Sequence, residues 1–248
     1  MNMNENADAY RKKTSHNQLV QRALSDPAIR ALVPETPLAS RRRELYAESA
    51  QGVIADLAQV GFPVGSEVGE LRRSGVTYVN AVPVLIEWLP RVSYLLLVED
   101  IVRTLSVPFA KKQALPVFLA MFQEPPHLED PLRPETSEPA SEHIRWVVGN
   151  GLGIFADPAN ADDMIRLARD RSYGKARTQI VAALPKTKSQ LVPEVLMELL
   201  DDPTVVAFAI EALGKMKIES AKAPIERLIN SPDENVRVQA KKALKRLA

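Results

Sequence analysis

Three short strings near the end of the chain decide its fold: Ala183-Leu184-Pro185-Lys186, Ala212-Leu213-Gly214-Lys215 and Ala243-Leu244-Lys245-Arg246. Their leucines lie 29 and 31 residues apart. Stepping back 32 residues from Leu184 reaches Leu152 in Gly151-Leu152-Gly153, and a further 47 reaches Leu105 in IVRTLS. The excess in that last step falls on EPPHLEDPLRPETSEP, a stretch so rich in Pro and acid that it is not expected to pack. Five units of roughly 30 residues are the signature of a repeat architecture.

Each leucine serves as a ruler. Eight residues before it stand Leu97, Ile144, Ala176, Val205 and Val236; four before it stand Ile101, Val148, Ile180, Ala209 and Ala240. One before it come Thr104, Gly151, Ala183, Ala212 and Ala243. At about 100° per residue these positions share one face, so each unit contains an amphipathic B helix with a line of small residues along its contact. Between B helices lie shorter apolar stretches, AVPVLIEWL, ALPVFLAMF, DDMIRLA, LVPEVLMELL and APIERLI, which read as A helices.

The chain has 19 prolines and only 10 glycines, which at first speaks against helices. Pro83, Pro116, Pro193 and Pro224, however, fall near the starts of A stretches, and Pro203 and Pro232 near the starts of B helices. Proline is tolerated in a first helical turn, because the N–H it lacks has no partner there. Two helices per unit, repeated five times, make an all-α fold: an α-solenoid of about five stacked helix pairs.

With these residues in place, P-x-[VLI]-[LI]-x-x-L, then D-P-x-V, then A-L-G-K resembles HEAT repeats, specifically the short bacterial type called phycobilisome-lyase-like. The resemblance covers about residues 79–248. IVRTLSVPFAKKQA, IRWVVGNGL and YGKARTQIVAALPK resemble a narrower bacterial HEAT-repeat group, and that likeness brings no activity with it. The insert at about 124–140 departs from the pattern and puts the continuity of the array there in question. Upstream, residues 1–37 read as a polar, mobile arm. Leu45, Val53, Leu57 and Val60 mark a helix ended by Gly61-Phe62-Pro63, an N-terminal cap within residues 38–78.

The 248 residues are 46% hydrophobic and carry a net charge of +1, so no global field recruits nucleic acid or membrane. The charge is uneven: residues 1–43 sum to +4, 44–170 to −8 and 171–248 to +5. The basic C-terminal end reads as a solvated face that favours the last helix dipole. There is no cysteine, no signal-peptide pattern at the start and no 18-residue apolar run, so a cytoplasmic protein, neither secreted by a signal peptide nor membrane-spanning, is expected.

Chemistry is sparse. The histidines are His16, His127 and His143, without HExxH or any His-Glu dipeptide. The iron sites of deoxyhypusine hydroxylases, HEAT enzymes, rest on such pairs, so the resemblance implies no metal here. The doublets Glu99-Asp100, Asp162-Asp163 and Asp201-Asp202 read mostly as helix-start carboxylates. No G-x-S-x-G occurs. Gly149-Asn150-Gly151 falls inside a B helix with no preceding strand and no Walker lysine, and so reads as helix packing. No catalytic residue, cofactor or metal is expected.

The resemblance implies that B helices line a concave, partner-binding side. Positions nine, six and two before the reference leucines project there: Leu96, Glu99 and Arg103; His143, Trp146 and Asn150; Lys175, Thr178 and Ala182; Thr204, Ala207 and Glu211. A tryptophan flanked by an arginine and an amide has the make-up of a protein-binding hot spot. Trp146, Arg103, Asn150, Glu99, His143 and Lys175 are therefore the candidate contacts for another protein. Arg145, Arg177 and Arg237, each seven before its leucine, read as a ladder onto acidic groups of neighbouring units. Two alternatives stand beside the non-enzymatic scaffold. One is a bilin-lyase or chaperone-like protein, by repeat analogy. The other is a nucleic-acid binder like the HEAT-like alkylpurine glycosylases, disfavoured by the mixed charge of the face and by only 5% aromatic residues.

Overall fold

A computed structural model of the chain describes residues 36–247. The arm expected at 1–37, all but its last two residues, lies outside them, as does His16. The chain divides into two compact units, residues 1–45 and Tyr46–Ala248. Of the first, only residues 36–45 are described, as the opening of α1 (Pro37–Gln59). Pro37 stands first in that helix, and the Thr36 hydroxyl accepts the Ala39 N–H at 3.2 Å. Gly61 ends it, with φ +91° that few other residues adopt, while the Phe62 N–H reaches back to the Leu57 carbonyl at 2.9 Å.

After α2 (Glu70–Arg73), ten helices follow as five A–B pairs. The A helices are α3 (Ala81–Trp88), α5 (Lys111–Gln123), α7 (Ala161–Arg169), α9 (Val192–Glu198) and α11 (Lys222–Glu226). The B helices are α4 (Leu95–Leu105), α6 (Ala140–Phe155), α8 (Thr178–Ala183), α10 (Val206–Met216) and α12 (Glu234–Arg246). Each A helix packs on its own B helix, and each B helix packs on the next: α4 on α6, α6 on α8, α8 on α10, α10 on α12. No strand occurs among the described residues, only an isolated parallel bridge between Tyr94 and Glu129. The fold is an all-α repeat solenoid.

The reason is visible at the register positions. All ten residues eight and four before the reference leucines are buried, and so are Thr104, Gly151, Ala183, Ala212 and Ala243. Four of the five leucines are fully buried; Leu244, in the last described B helix, is half-buried. Lys188 and Lys217, each four residues after its leucine, both adopt left-handed backbone at helix ends, so even the chain reversal repeats.

At the other end α1 packs on the first pair through residues 50–57. It buries Ala50, Val53 and Leu57. The Trp88 indole N–H donates to Asp56 at 2.8 Å, and a side chain at Gly52 would collide with that ring. Asp100 of α4 gathers the cap onto the first pair. It accepts the Tyr46 hydroxyl at 2.6 Å and the Gly69 N–H at 2.7 Å, and it pairs with Arg72. Burial, and then the Asp100 charge, push the Tyr46 phenol far above its ordinary range, so it donates at all physiological pH.

Three expectations need correction. Pro116 lies inside α5, five residues after its first residue, because a turn at Pro108–Ala110 starts the helix earlier. Its ring is exposed, so the helix face that loses a bond is a solvated one. Glu99-Asp100 stands in the middle of α4 rather than at a helix start. The insert packs after all: Leu128 is buried, the Glu129 N–H donates to the Ser93 carbonyl at 2.8 Å, and the Leu95 N–H donates to the Glu129 carbonyl at 2.9 Å. Two backbone bonds and one leucine suffice to seat an acidic, Pro-rich segment, and α4 stacks directly on α6 beneath it, so the array is continuous.

Candidate functional site

The glycines of α6 set how closely its neighbours approach. A side chain at Gly149 would strike the Ala176 carbonyl, one at Gly151 the Phe118 ring, and one at Gly153 would lie 2.9 Å from the Gln179 carbonyl. All three are buried, so GNGLG is a packing line, as its register implies. Gly149→Ala is expected to lower stability by about 1–2 kcal/mol, since a clash with a backbone carbonyl falls in the upper part of the overpacking range, about 2–3 kcal/mol, and exceeds the roughly 1 kcal/mol gained in helix propensity. Urea unfolding followed by circular dichroism checks this; an unchanged or raised midpoint would show that the Ala176 backbone yields.

The residues that project from the B-helix face meet in one chain of charges. Glu99 of α4 accepts Arg103 Nε at 2.8 Å within its own helix and lies 2.8 Å from His143 Nε2 of α6. His143 Nδ1 lies 3.6 Å from Glu138, the insert residue that also pairs with Lys175 ahead of α8. Arg103, Glu99, His143, Glu138 and Lys175 thus form one chain across three successive units, with basic and acidic side chains in alternation. Burial alone would raise the Glu99 carboxyl, but hydrogen bonds from His143 and Arg103 outweigh it and hold the group at about 2. The Lys175 ammonium lowers Glu138.

Trp146 and Asn150 continue the His143 stripe along α6, one and two turns further on, and both are half-buried. Ile154 extends the same stripe and is 45% exposed. The six predicted residues are therefore neighbours along two helices and the segment before a third, and four of the six belong to one ion-pair network. Glu138 and Ile154 are additions. Glu138 was hidden in a segment not expected to pack, and Ile154 lies two residues after its leucine, a position the repeat comparison did not include. The stripe also narrows. Thr178 and Ala207, expected to project like Trp146, are buried, because small side chains let the later B helices close against one another.

The repeated arginine does something other than expected. Arg145 Nε donates to the Phe122 carbonyl at 2.9 Å, Arg177 Nη1 to the Ala168 carbonyl at 2.8 Å, and Arg237 Nη1 to the Ser231 and Pro232 carbonyls at 2.8 Å each. In three units the guanidinium takes carbonyls left without partners where an A helix ends or the connection after it runs. Only Arg177 also reaches an acid of the next unit, Asp202 at 2.7 Å; Arg145 pairs with Glu142 of its own helix. The ladder is a set of clamps within units, with a single rung between them. Asp202 in turn accepts the Thr204 N–H at 3.0 Å as the chain turns into α10, and Asp162-Asp163 does open α7.

Among the described residues no group of three or more His, Asp or Glu side chains is placed to hold a metal ion. No helix among them is long and apolar enough to cross a membrane. A shallow hollow on the A side, lined by Ile165, Arg166, Arg169 and Leu191, has its two arginines engaged: Arg166 by Asp163 and Gln123, Arg169 by Glu198 in a bidentate pair at 2.8 Å.

No family model matches the chain, and no curated protein matches it. Among solved structures it is similar to a designed armadillo repeat protein at 14% identity, with a TM-score of 0.44, over 86% of this chain and 96% of that one.

Proposed function

We propose that the chain is a non-enzymatic scaffold that docks another protein on the B-helix face of α4 and α6. Trp146 and Asn150 are the central contacts, and Arg103, Glu99, His143 and Lys175 form the rim. One observation carries this reading: the charges around the stripe are engaged with one another, while an indole, an amide and an exposed isoleucine follow in line on one rigid helix. A partner docking there displaces water from apolar surface without breaking a strong ion pair, and the amide offers both a donor and an acceptor. The repeats read as HEAT-type and bacterial on the resemblance of their motifs, and a cytoplasmic setting fits a chain without cysteine. The lyase and nucleic-acid readings draw no support from a face on which each cation already holds a carboxylate.

The test is a photo-crosslinking amino acid placed at Asn150 in the native cell, with Asn230 on an A-side turn as the reference position. A protein adduct specific to position 150, lost when Trp146→Ala and Arg103→Ala are combined, is the expected result. Helicity and melting of the double variant should match the parent. Equal adducts at both positions, or one that survives the double substitution, would remove this face as the docking site.

A further inference from the structure

His143 occupies an unusual electrostatic position. Its two ring nitrogens face two different carboxylates on two different elements: Nε2 lies 2.8 Å from Glu99 of α4, and Nδ1 lies 3.6 Å from Glu138 at the end of the insert. Arg103 backs the first carboxylate and Lys175 the second, and on its own helix the nearest charges, Glu142 and Arg145, pair with each other. A neutral imidazole has one N–H and one bare lone pair. If the N–H points to Glu99, as the short distance requires, the lone pair confronts Glu138, which repels it. Protonation turns that lone pair into a second donor and the repulsion into an attraction.

We propose that His143 is a pH-operated clasp for the last turn of the insert, residues 134–138: closed when the imidazole is protonated, loosened when it is neutral. The sign follows from the partners. Glu99 and Glu138 are both held below the ordinary carboxylate value, so neither carboxylate changes charge between pH 5.5 and pH 8. Arg133 cannot replace the clasp, because its guanidinium holds the Glu138 backbone carbonyl at 2.8 and 3.0 Å, inside the same segment. The remaining tie to the array, Lys175 to Glu138, has a lysine side chain 62% exposed, and such a pair is weak by itself. The other end of the insert is fixed independently by Leu128 and the Ser93–Glu129–Leu95 backbone bonds. Loosening is therefore confined to the stretch beside His143, next to the Trp146 stripe. The clasp does not depend on whether that stripe binds a partner.

The chain has no cysteine, so a single nitroxide is readily attached through Thr136→Cys, an exposed position in the segment. The expected electron paramagnetic resonance spectrum is more immobilised at pH 5.5 than at pH 8, with one transition between. Adding His143→Gln or Glu138→Gln should abolish that transition and leave the mobile spectrum at both values. A label at Asn235→Cys should show no change. The clasp is overturned if the Thr136 spectrum is the same at both pH values, if the transition survives either glutamine substitution, or if position 235 responds equally. Glu138 is half-buried and lies outside any helix, so its variant keeps the test valid even where the His143 variant folds poorly.

Discussion

Arg177→Leu is expected to cost about 3–5 kcal/mol, more than any other single substitution proposed for this protein. The guanidinium is 1% exposed and its partner carboxylate 4%. It donates to Asp202 at 2.7 Å, to the Ala168 carbonyl at 2.8 Å and to the Gly174 carbonyl at 3.2 Å. Leucine fills part of the volume but leaves a buried carboxylate without its principal counter-charge and two carbonyls without a donor. Burial would raise the Asp202 carboxyl, yet the Arg177 hydrogen bond and the Thr204 N–H hold it below its ordinary value, so in the variant it should move upward. The depressed value also sets the sign of the pH effect: the Asp202 contribution is complete above the unfolded carboxyl range and is lost as the pH falls through the folded value. Replacing both partners, Arg177→Leu with Asp202→Leu, should recover a large part of the loss, because the penalty lies in the stranded charge. Urea midpoints of the two variants and the parent decide this. A double variant no better than the single one would place the cost in packing instead.

Glu99→Gln is expected to lower stability by about 2–3 kcal/mol at pH 5.5, the value being discounted for the partial exposure of Arg103. The side chain keeps its shape but loses the charge that both Arg103 and His143 engage. The parent carboxyl is held at about 2 against an ordinary 4.5, so its contribution is fully present above 4.5 and disappears as the pH falls toward 2. Parent and variant should therefore converge in urea midpoint between pH 4.5 and 2. A gap that stays constant across that interval would mean that the substitution acts through shape and not through the carboxylate.

The legibility of this protein divides along a physical line. Positions eight and four before Leu105, Leu152, Leu184 and Leu213 were readable because a helix face buried against neighbours must be apolar at a fixed period, whatever the neighbours are. The packing role of Gly149 and Gly151 followed from the same register. Pro116 misled because a proline marks a first turn only where nothing upstream continues the helix, and the turn at Pro108–Ala110 carries no periodic signal. The insert misled because composition reports the average capacity to bury surface, whereas one leucine and two backbone bonds decide whether a short segment docks.

The sequence by itself determined the repeat, the pairing of A with B helices and the stripe on which Trp146 and Asn150 lie, since each follows from local periodicity repeated five times. Only the tertiary structure decided which charges meet. Glu99 and His143 are 44 residues apart, and Arg177 and Asp202 are 25 apart. A salt bridge between units depends on the rotation and offset of one helix pair on the next, which side-chain volume at the small-residue line sets. That offset closed the stripe at Thr178 and Ala207 and set Glu99 of one unit against His143 of the next.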